Sequence, residues 1–128
     1  MGKLLWLVNR ILFTVDIDPR ANFASGLILI HGMNIVVGHE VRSLCRLIIY
    51  QGTTLGGNRG KRKKIFDFET GQPVLDDNVI VGIGSSVLGP VYVGKDALIG
   101  TNAIVTKDVP PRTIVVMNNK SVDKKTQK

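Results

Sequence analysis

A period of six residues constrains the fold of this chain more than any other feature of its sequence. From residue 75 to residue 109, an aliphatic residue opens every hexad and a small or apolar residue stands four positions later. The opening residues are Leu75, Val81, Val87, Val93, Ile99 and Val105. This period fits neither an α-helix nor a β-hairpin, and it predicts short strands that turn a corner every six residues. Three such strands complete a triangular turn, and the turns must stack because a single turn cannot bury its inner face.

The same period appears earlier in the chain, with interruptions. Hexads begin at Ile17, Phe23, Val37 and Ile49, whereas the hexad at Ser43 has a polar residue where an aliphatic one is expected. Residues 29–35 break the rhythm, and Pro110–Pro111 should end it because proline cannot donate to a strand ladder. We therefore expect one repeat domain over residues 15–116, with about four turns.

Three segments lie outside the repeat. Residues 57–74 form a long polar insertion, and an insertion of that length is usually functional or disordered. Residues 3–13 predict a short amphipathic helix within an N-terminal segment 1–14, because Leu4, Val8 and Ile11 fall on one helical face. Residues 117–128 form a basic tail.

Composition excludes several classes of protein. The single cysteine, Cys45, rules out an internal disulfide framework, and two histidines are too few for a three-histidine metal site. The net charge of +7 is concentrated in the tail and in residues 59–64, which could bind nucleic acid, anionic lipid or a phosphorylated cofactor. No aromatic residue lies in that run to stack on bases, so we expect no nucleic-acid partner. The apolar run 4–8 is too short for a signal peptide or a membrane span, so we expect a cytoplasmic protein with at most a peripheral membrane contact.

The repeat resembles that of the left-handed parallel β-helix acyltransferases. Within them, residues 11–116 look like the serine acetyltransferases and the sugar O-acetyltransferases of surface-polysaccharide synthesis, through segments 15–19, 29–32, 35–38, 50–57 and 107–111. The resemblance implies an all-β, single-domain left-handed β-helix with a short N-terminal helix and a long inserted loop. It also implies a homotrimer with acetyl-CoA as the acetyl donor, no metal, and sites between neighbouring subunits.

The resemblance also implies the catalytic residues. The family uses a histidine base oriented by an aspartate fifteen residues earlier, which matches His31 and Asp16 here. Neutral imidazole can take a hydroxyl proton near pH 7, and a carboxylate on its other nitrogen fixes its tautomer. Cys45 lies away from the matched motifs, and the acceptor can attack the thioester directly without an acyl-enzyme.

Further residues are assigned by matching position. Acetyl-CoA is expected at Gly57, Gly82, Ile83, Thr101 and Lys107. The acceptor is expected at His39, Arg59, Arg62 and Lys63. Serine acetyltransferases carry an acidic residue just before the catalytic histidine, but this chain has Ile30 there, and an aliphatic side chain cannot pair with an ammonium group. We therefore expect a sugar hydroxyl as the acceptor, with two alternatives: serine O-acetylation in cysteine synthesis, and a non-enzymatic binding protein.

Overall fold

The repeat folds as a three-sided stack of short parallel strands. The computed structural model describes residues 1–118, in which one helix, α1 (Gly2–Phe13), precedes sixteen strands. The strands are β1 (Val15–Ile17), β2 (Asn22–Phe23), β3 (Leu27–Ile30), β4 (Ile35–Val37), β5 (Arg42–Ser43), β6 (Leu47–Tyr50), β7 (Thr54–Gly56), β8 (Lys63–Ile65), β9 (Phe68–Thr70), β10 (Val74–Leu75), β11 (Val79–Val81), β12 (Ser86–Leu88), β13 (Tyr92–Val93), β14 (Leu98–Ile99), β15 (Ile104–Val105) and β16 (Ile114–Val115).

Three parallel sheets form the sides of the prism. The first sheet has the order β1-β4-β7-β12-β15, the second β2-β5-β10-β13, and the third β3-β6-β11-β14-β16. Val87 pairs with Val105 and Val81 with Ile99, so that one turn takes 18 residues, or three hexads. The solenoid therefore has about five turns.

The prediction of about four turns was too low. The strand Ile114–Val115 forms beyond Pro110–Pro111 and pairs with β14, because the prolines stand at a corner rather than in a strand. The strand Leu27–Ile30 also extends into residues 29–35, the segment predicted to interrupt the repeat. The real interruption is the corner at residues 31–34.

The hexad pattern correctly predicts the core. All six opening residues from Leu75 to Val105 are at most 4% exposed, and the residues four positions later are buried too. Ser43 takes an opening position and is also buried, and within residues 1–118 its Oγ has no hydrogen-bond partner. Ser85, another buried serine, donates its hydroxyl to the Gly82 carbonyl at 2.6 Å.

The insertion is ordered rather than disordered. Strands β8 and β9 pair as an antiparallel hairpin, and Val74, predicted as its last residue, already belongs to β10. The hairpin packs on the outer face of the second sheet: the Phe66 ring meets the Tyr92 ring edge-on at 5.3 Å, and the Arg42 guanidinium lies 4.6 Å from the centre of the Phe68 ring.

The helix forms where the sequence predicts it, but it buries no side chain. Leu4, Leu5, Ile11 and Leu12 are 62–67% exposed. No helix in residues 1–118 is long and apolar enough to cross a bilayer. Of the basic tail, only Met117 and Asn118 lie among the residues that the structure describes.

Candidate active site

The carboxylate of Asp16 lies on the outer face of β1 and is held by the N-terminal helix. Asp16 stands between Val15, which is buried in the core, and Ile17, which packs against that core, so its side chain points outwards. The indole N–H of Trp6 donates to Asp16 Oδ1 at 2.9 Å. The Arg10 Nε lies 3.7 Å from Oδ2, and both side chains of this ion pair are partly exposed.

His31 lies at the corner that joins the third sheet to the first. It follows β3 directly, its imidazole is exposed, and its backbone has a left-handed φ of 50°, an uncommon conformation for a residue other than glycine. Its carbonyl accepts the Met33 N–H at 2.6 Å. Asn34, in the same corner, also has a left-handed φ of 54°, so the bend predicted at an asparagine is present.

A hydrogen bond ties this corner to the strand that carries Asp16. The Asn34 N–H donates to Thr14 Oγ1 at 3.1 Å, and Thr14 immediately precedes β1. Within residues 1–118, no hydrogen bond joins Asp16 to His31. The corner therefore places His31 beside the start of β1, while the Asp16 carboxylate contacts Trp6 and Arg10.

Three of the residues predicted to bind acetyl-CoA lie together on the third sheet. Gly82, Ile83 and Thr101 line one open pocket of about 290 Å³, with Tyr50, Ile80 and Leu98. A Cβ on Gly82 would lie 2.5 Å from the Ile99 carbonyl oxygen. The stacking of adjacent turns therefore already requires glycine at this position, whatever binds outside it.

Lys107 lies elsewhere, in a second pocket beside the insertion. Its walls include Asn58, Lys61 and Lys63. Lys63, predicted to bind the acceptor, forms a 2.8 Å ion pair with Asp108 instead. Burial opposes the ionisation of Asp108, but the Lys63 ammonium and the Tyr92 N–H outweigh it and hold the Asp108 pKa below its ordinary value.

His39, Gly57 and Arg62 line a third pocket, which shares Lys61 with the second. Glu40 dominates the charge pattern of this third pocket. The Glu40 carboxylate accepts two hydrogen bonds from Arg62, at 2.9 and 3.2 Å, and one from the Gly71 N–H at 2.9 Å. The Arg62 hydrogen bond and then the Gly71 N–H lower the Glu40 pKa. Arg59 is exposed on the loop before the hairpin.

The structure therefore divides the predicted site residues into separate groups. Asp16 and His31 lie at the first turns, Gly82, Ile83 and Thr101 on the third sheet, and the remaining residues around the insertion. Sequence reasoning missed the two carboxylates that pair with the insertion's cations, Glu40 and Asp108. Asp108 stands in segment 107–111, one of those that carry the resemblance, but no spacing pointed to Glu40.

No cluster of three or more histidine, cysteine, aspartate or glutamate side chains suited to a metal ion occurs within residues 1–118. The titratable groups are instead distributed as single side chains and ion pairs.

Comparison with known proteins points to one family. The chain is 40% identical over 111 residues to a serine acetyltransferase of Mycobacterium tuberculosis, covering 84% of this chain and 44% of that protein. It is 37% identical over 119 residues to a serine acetyltransferase of Helicobacter pylori, covering 91% of this chain and 64% of that protein. The chain thus spans about half the length of the curated relatives it matches. No protein-family model matches it.

Solved structures give the same result for the fold. The serine acetyltransferase of Neisseria gonorrhoeae, in complex with serine, superposes with a TM-score of 0.79 at 32% identity, covering 91% of this chain and 45% of that one. The soybean serine acetyltransferase apoenzyme superposes with a TM-score of 0.78 at 32% identity, covering 91% and 46%. The solenoid accordingly matches a left-handed β-helix. The chain is therefore homologous to the serine acetyltransferases over the part of their length that it spans, and its solenoid is consistent with the hexapeptide-repeat left-handed β-helix.

Proposed function

We propose that this chain is an acetyl-CoA-dependent O-acetyltransferase with the hydroxyl of serine as its acceptor. The observation that carries the proposal is the exposed His31, at a corner hydrogen-bonded to the start of the strand that carries Asp16, in a fold whose relatives are serine acetyltransferases. These relatives favour serine, the alternative of the sequence analysis, over the sugar hydroxyl expected there.

His31 acts as the general base in this proposal. Its neutral imidazole takes the proton from the serine hydroxyl while that oxygen attacks the thioester carbonyl carbon of acetyl-CoA. The tetrahedral intermediate then collapses, the carbon–sulfur bond breaks, and the imidazolium returns the proton to the CoA sulfur. Such proton transfer contributes about 10²–10⁴-fold to the rate. The exposed His31 imidazole rotates so that its other nitrogen donates a hydrogen bond to the Asp16 carboxylate.

The acetyl donor is assigned to two pockets, one on the third sheet and one beside the insertion. Gly82 and Gly100 line the open pocket on that sheet, so an extended pantetheine arm can lie against the solenoid there. Lys61 and Lys107 supply positive charge for the phosphate groups in the separate pocket beside the insertion. Lys63 and Arg62 instead neutralise Asp108 and Glu40, which makes them anchors of the insertion more than acceptor ligands.

The proposal includes a homotrimer, and the outer face of the third sheet supports it. One aliphatic residue per turn lies on that face in parallel register, giving a ladder of Ile28, Ile48, Ile80, Leu98 and Ile114. The residues that alternate with them, such as Leu47, Ile49 and Val81, are fully buried in the prism, so the ladder points outwards. A continuous apolar strip of this length indicates a surface that another protein chain covers.

A sugar hydroxyl is the second candidate for the acceptor, and the residue that favours it is Ile30. Ile30, which directly precedes His31, is aliphatic and pairs with Tyr50 in the third sheet. It cannot neutralise the ammonium group of serine, whereas a sugar carries no such charge.

Release of CoA from acetyl-CoA tests the proposal. Wild-type protein is expected to release CoA with serine, and His31→Ala to lower kcat by about 10²–10⁴-fold. Cys45→Ala is the control, and it should leave the rate unchanged because the acceptor attacks directly. Release with a sugar but not with serine would transfer the assignment to the second candidate. Release with neither acceptor would leave the non-enzymatic alternative.

The variant Ile30→Asp further distinguishes serine from a sugar as the acceptor. If serine is the acceptor, the added carboxylate should lower the KM for serine by pairing with its ammonium group. If a sugar is the acceptor, the same change should leave the KM for the sugar unchanged or raise it.

A further inference from the structure

The N-terminal helix is attached to the solenoid in an unusual way. None of its side chains is buried, so hydrophobic burial contributes little to its placement. Its polar contacts converge on the start of β1 instead. Asn9 Nδ2 donates to the Val15 carbonyl at 3.3 Å, Trp6 donates to Asp16, and Arg10 lies beside the same carboxylate.

Trp6 has the strongest of these contacts. Its indole N–H is 2.9 Å from Asp16 Oδ1, at a partly buried position, and hydrogen bonds to a carboxylate are stronger than those between neutral groups. The Arg10 guanidinium lies 5.4 Å from the centre of the Trp6 ring, a distance at which cation and ring attract each other. Arg10 therefore contacts both partners of the Trp6–Asp16 hydrogen bond.

We infer that Trp6 is a positioning residue for catalysis, through which α1 orients the Asp16 carboxylate towards His31. The inference rests on the proposed function, because it gives Asp16 the task of orienting the base. A carboxylate can accept several hydrogen bonds, so the Trp6 N–H on Oδ1 fixes the rotation of the group and leaves an Oδ2 lone pair for the imidazole. Arg10 then sets the orientation of the indole.

The geometry at the corner supports this role. Thr14, which ends the helix, accepts the Asn34 N–H, so the same short segment that carries Asp16 also holds the corner of His31. Movement of α1 would displace both groups together. The helix is thus a part of the active site rather than only a cap on the prism.

Steady-state kinetics tests the role of Trp6. Trp6→Phe keeps one aromatic ring but removes the N–H donor, so we expect kcat to fall about 10-fold, as for the loss of a hydrogen bond to a charged group. The KM for acetyl-CoA should not change, because Gly82 and Thr101 lie in later turns. Arg10→Met removes a longer and more exposed contact, and it should lower kcat by no more than about 3-fold. Leu12→Ala, on the exposed side of the same helix, is the control and should have no effect.

A spectroscopic readout tests the contact without any activity. Trp6 is the only tryptophan, so the ¹H–¹⁵N spectrum has a single indole cross-peak. Asp16→Ala should shift it and accelerate its exchange with solvent, whereas Asp77→Ala, which removes a carboxylate beside Lys95 in a later turn, should leave the exchange rate unchanged.

Three results would overturn the inference: an indole exchange rate that Asp16→Ala does not change, a wild-type kcat in Trp6→Phe, or equal losses of kcat in Trp6→Phe and Leu12→Ala. A wild-type protein that releases no CoA would overturn the proposed function instead. The indole cross-peak would then decide by itself whether the Trp6–Asp16 contact exists.

Discussion

At the scale of single residues, two buried serines show how the hexad pattern depends on hydrogen bonding. Ser43 takes a position where the repeat expects an aliphatic side chain, and its hydroxyl has no partner within residues 1–118. Ser85 is buried too, but its hydroxyl donates to the Gly82 carbonyl. An unsatisfied buried hydroxyl lowers stability, whereas a satisfied one contributes to it.

The two serines should therefore respond in opposite directions to the same substitution. Ser43→Ala is expected to raise the free energy of unfolding by about 1 kcal/mol, because it removes a desolvated hydroxyl that forms no compensating hydrogen bond. Ser85→Ala should lower it by about 1 kcal/mol, because it breaks a hydrogen bond. Denaturant unfolding of both variants measures the difference, and a loss of stability in Ser43→Ala would show that its hydroxyl is satisfied in solution.

The residue scale also shows what the sequence could predict of the site. The spacing of Asp16 and His31 matches the family motif, and the structure places both at the first turns. The Trp6 contact could not be predicted, because the six-residue period says nothing about where a helix outside the repeat will lie. Glu40 and Asp108 were missed for a related reason: their partners, Arg62 and Lys63, reach them only through the path of the insertion.

At the scale of elements, the strands follow the period while the hairpin does not. Aliphatic residues every six positions are a local signal, and they correctly predicted the buried positions between Leu75 and Val109. The β8–β9 hairpin lacks the Asn-Gly or Asp-Gly turn that marks such an element in a sequence, and its turn has Phe66 at a left-handed φ of 53°. The packing of Phe66 on Tyr92, a residue far along the chain, stabilises it, and no local pattern records that contact.

The hairpin's attachment to the prism should depend on Glu40. Glu40→Gln removes the charge that two Arg62 hydrogen bonds and the Gly71 N–H share. The expected loss is about 1 kcal/mol, a modest figure because Arg62 is nearly half exposed and solvent screens the pair. Trypsin should then cut at residues 61–64 about 5-fold faster, since cleavage follows the population of the open form. Glu69→Gln is the matched control, because Glu69 meets the same arginine at 3.5 Å with a more exposed side chain.

Acidification should have the same effect as Glu40→Gln. The Arg62 hydrogen bond lowers the pKa of Glu40 in the folded protein from its ordinary value of 4.5. A lowered folded-state pKa means that the stabilisation is complete above pH 4.5 and is lost as the pH falls through the lowered value. The protection factors of the hairpin amides, in which the intrinsic pH dependence of exchange is divided out, should therefore fall below about pH 4.5 in the wild type. A pH dependence equally strong in Glu40→Gln would assign the effect to another group.

At the scale of the whole molecule, the three outer faces differ in character. The first sheet presents a mixture that includes Asp16, Thr54 and Ser86, and the second is largely covered by the hairpin. The third sheet carries the aliphatic ladder, whose two end members, Ile28 and Ile114, are 37% and 64% exposed. The pocket proposed for the acetyl donor lies on this same sheet, and Ile80 and Leu98 belong both to it and to the ladder. Assembly through the ladder would therefore make a second chain part of the wall of that pocket, so that the proposed activity would depend on the oligomeric state.

Ile48→Lys, in the middle of the ladder, should dissociate the proposed homotrimer. A lysine ammonium buried between chains without a partner is costly, whereas on the outer face of an isolated prism it is solvated, so the fold should persist. Sedimentation velocity should show a trimer for the wild type and a monomer for Ile48→Lys, with unchanged circular dichroism. CoA release should fall with the loss of the trimer, because the donor pocket loses its neighbouring chain.

Asn22→Lys adds the same charge to the exposed edge of the second sheet and should leave assembly and activity intact. A monomeric wild type that releases CoA at full rate would show that one chain carries the whole site.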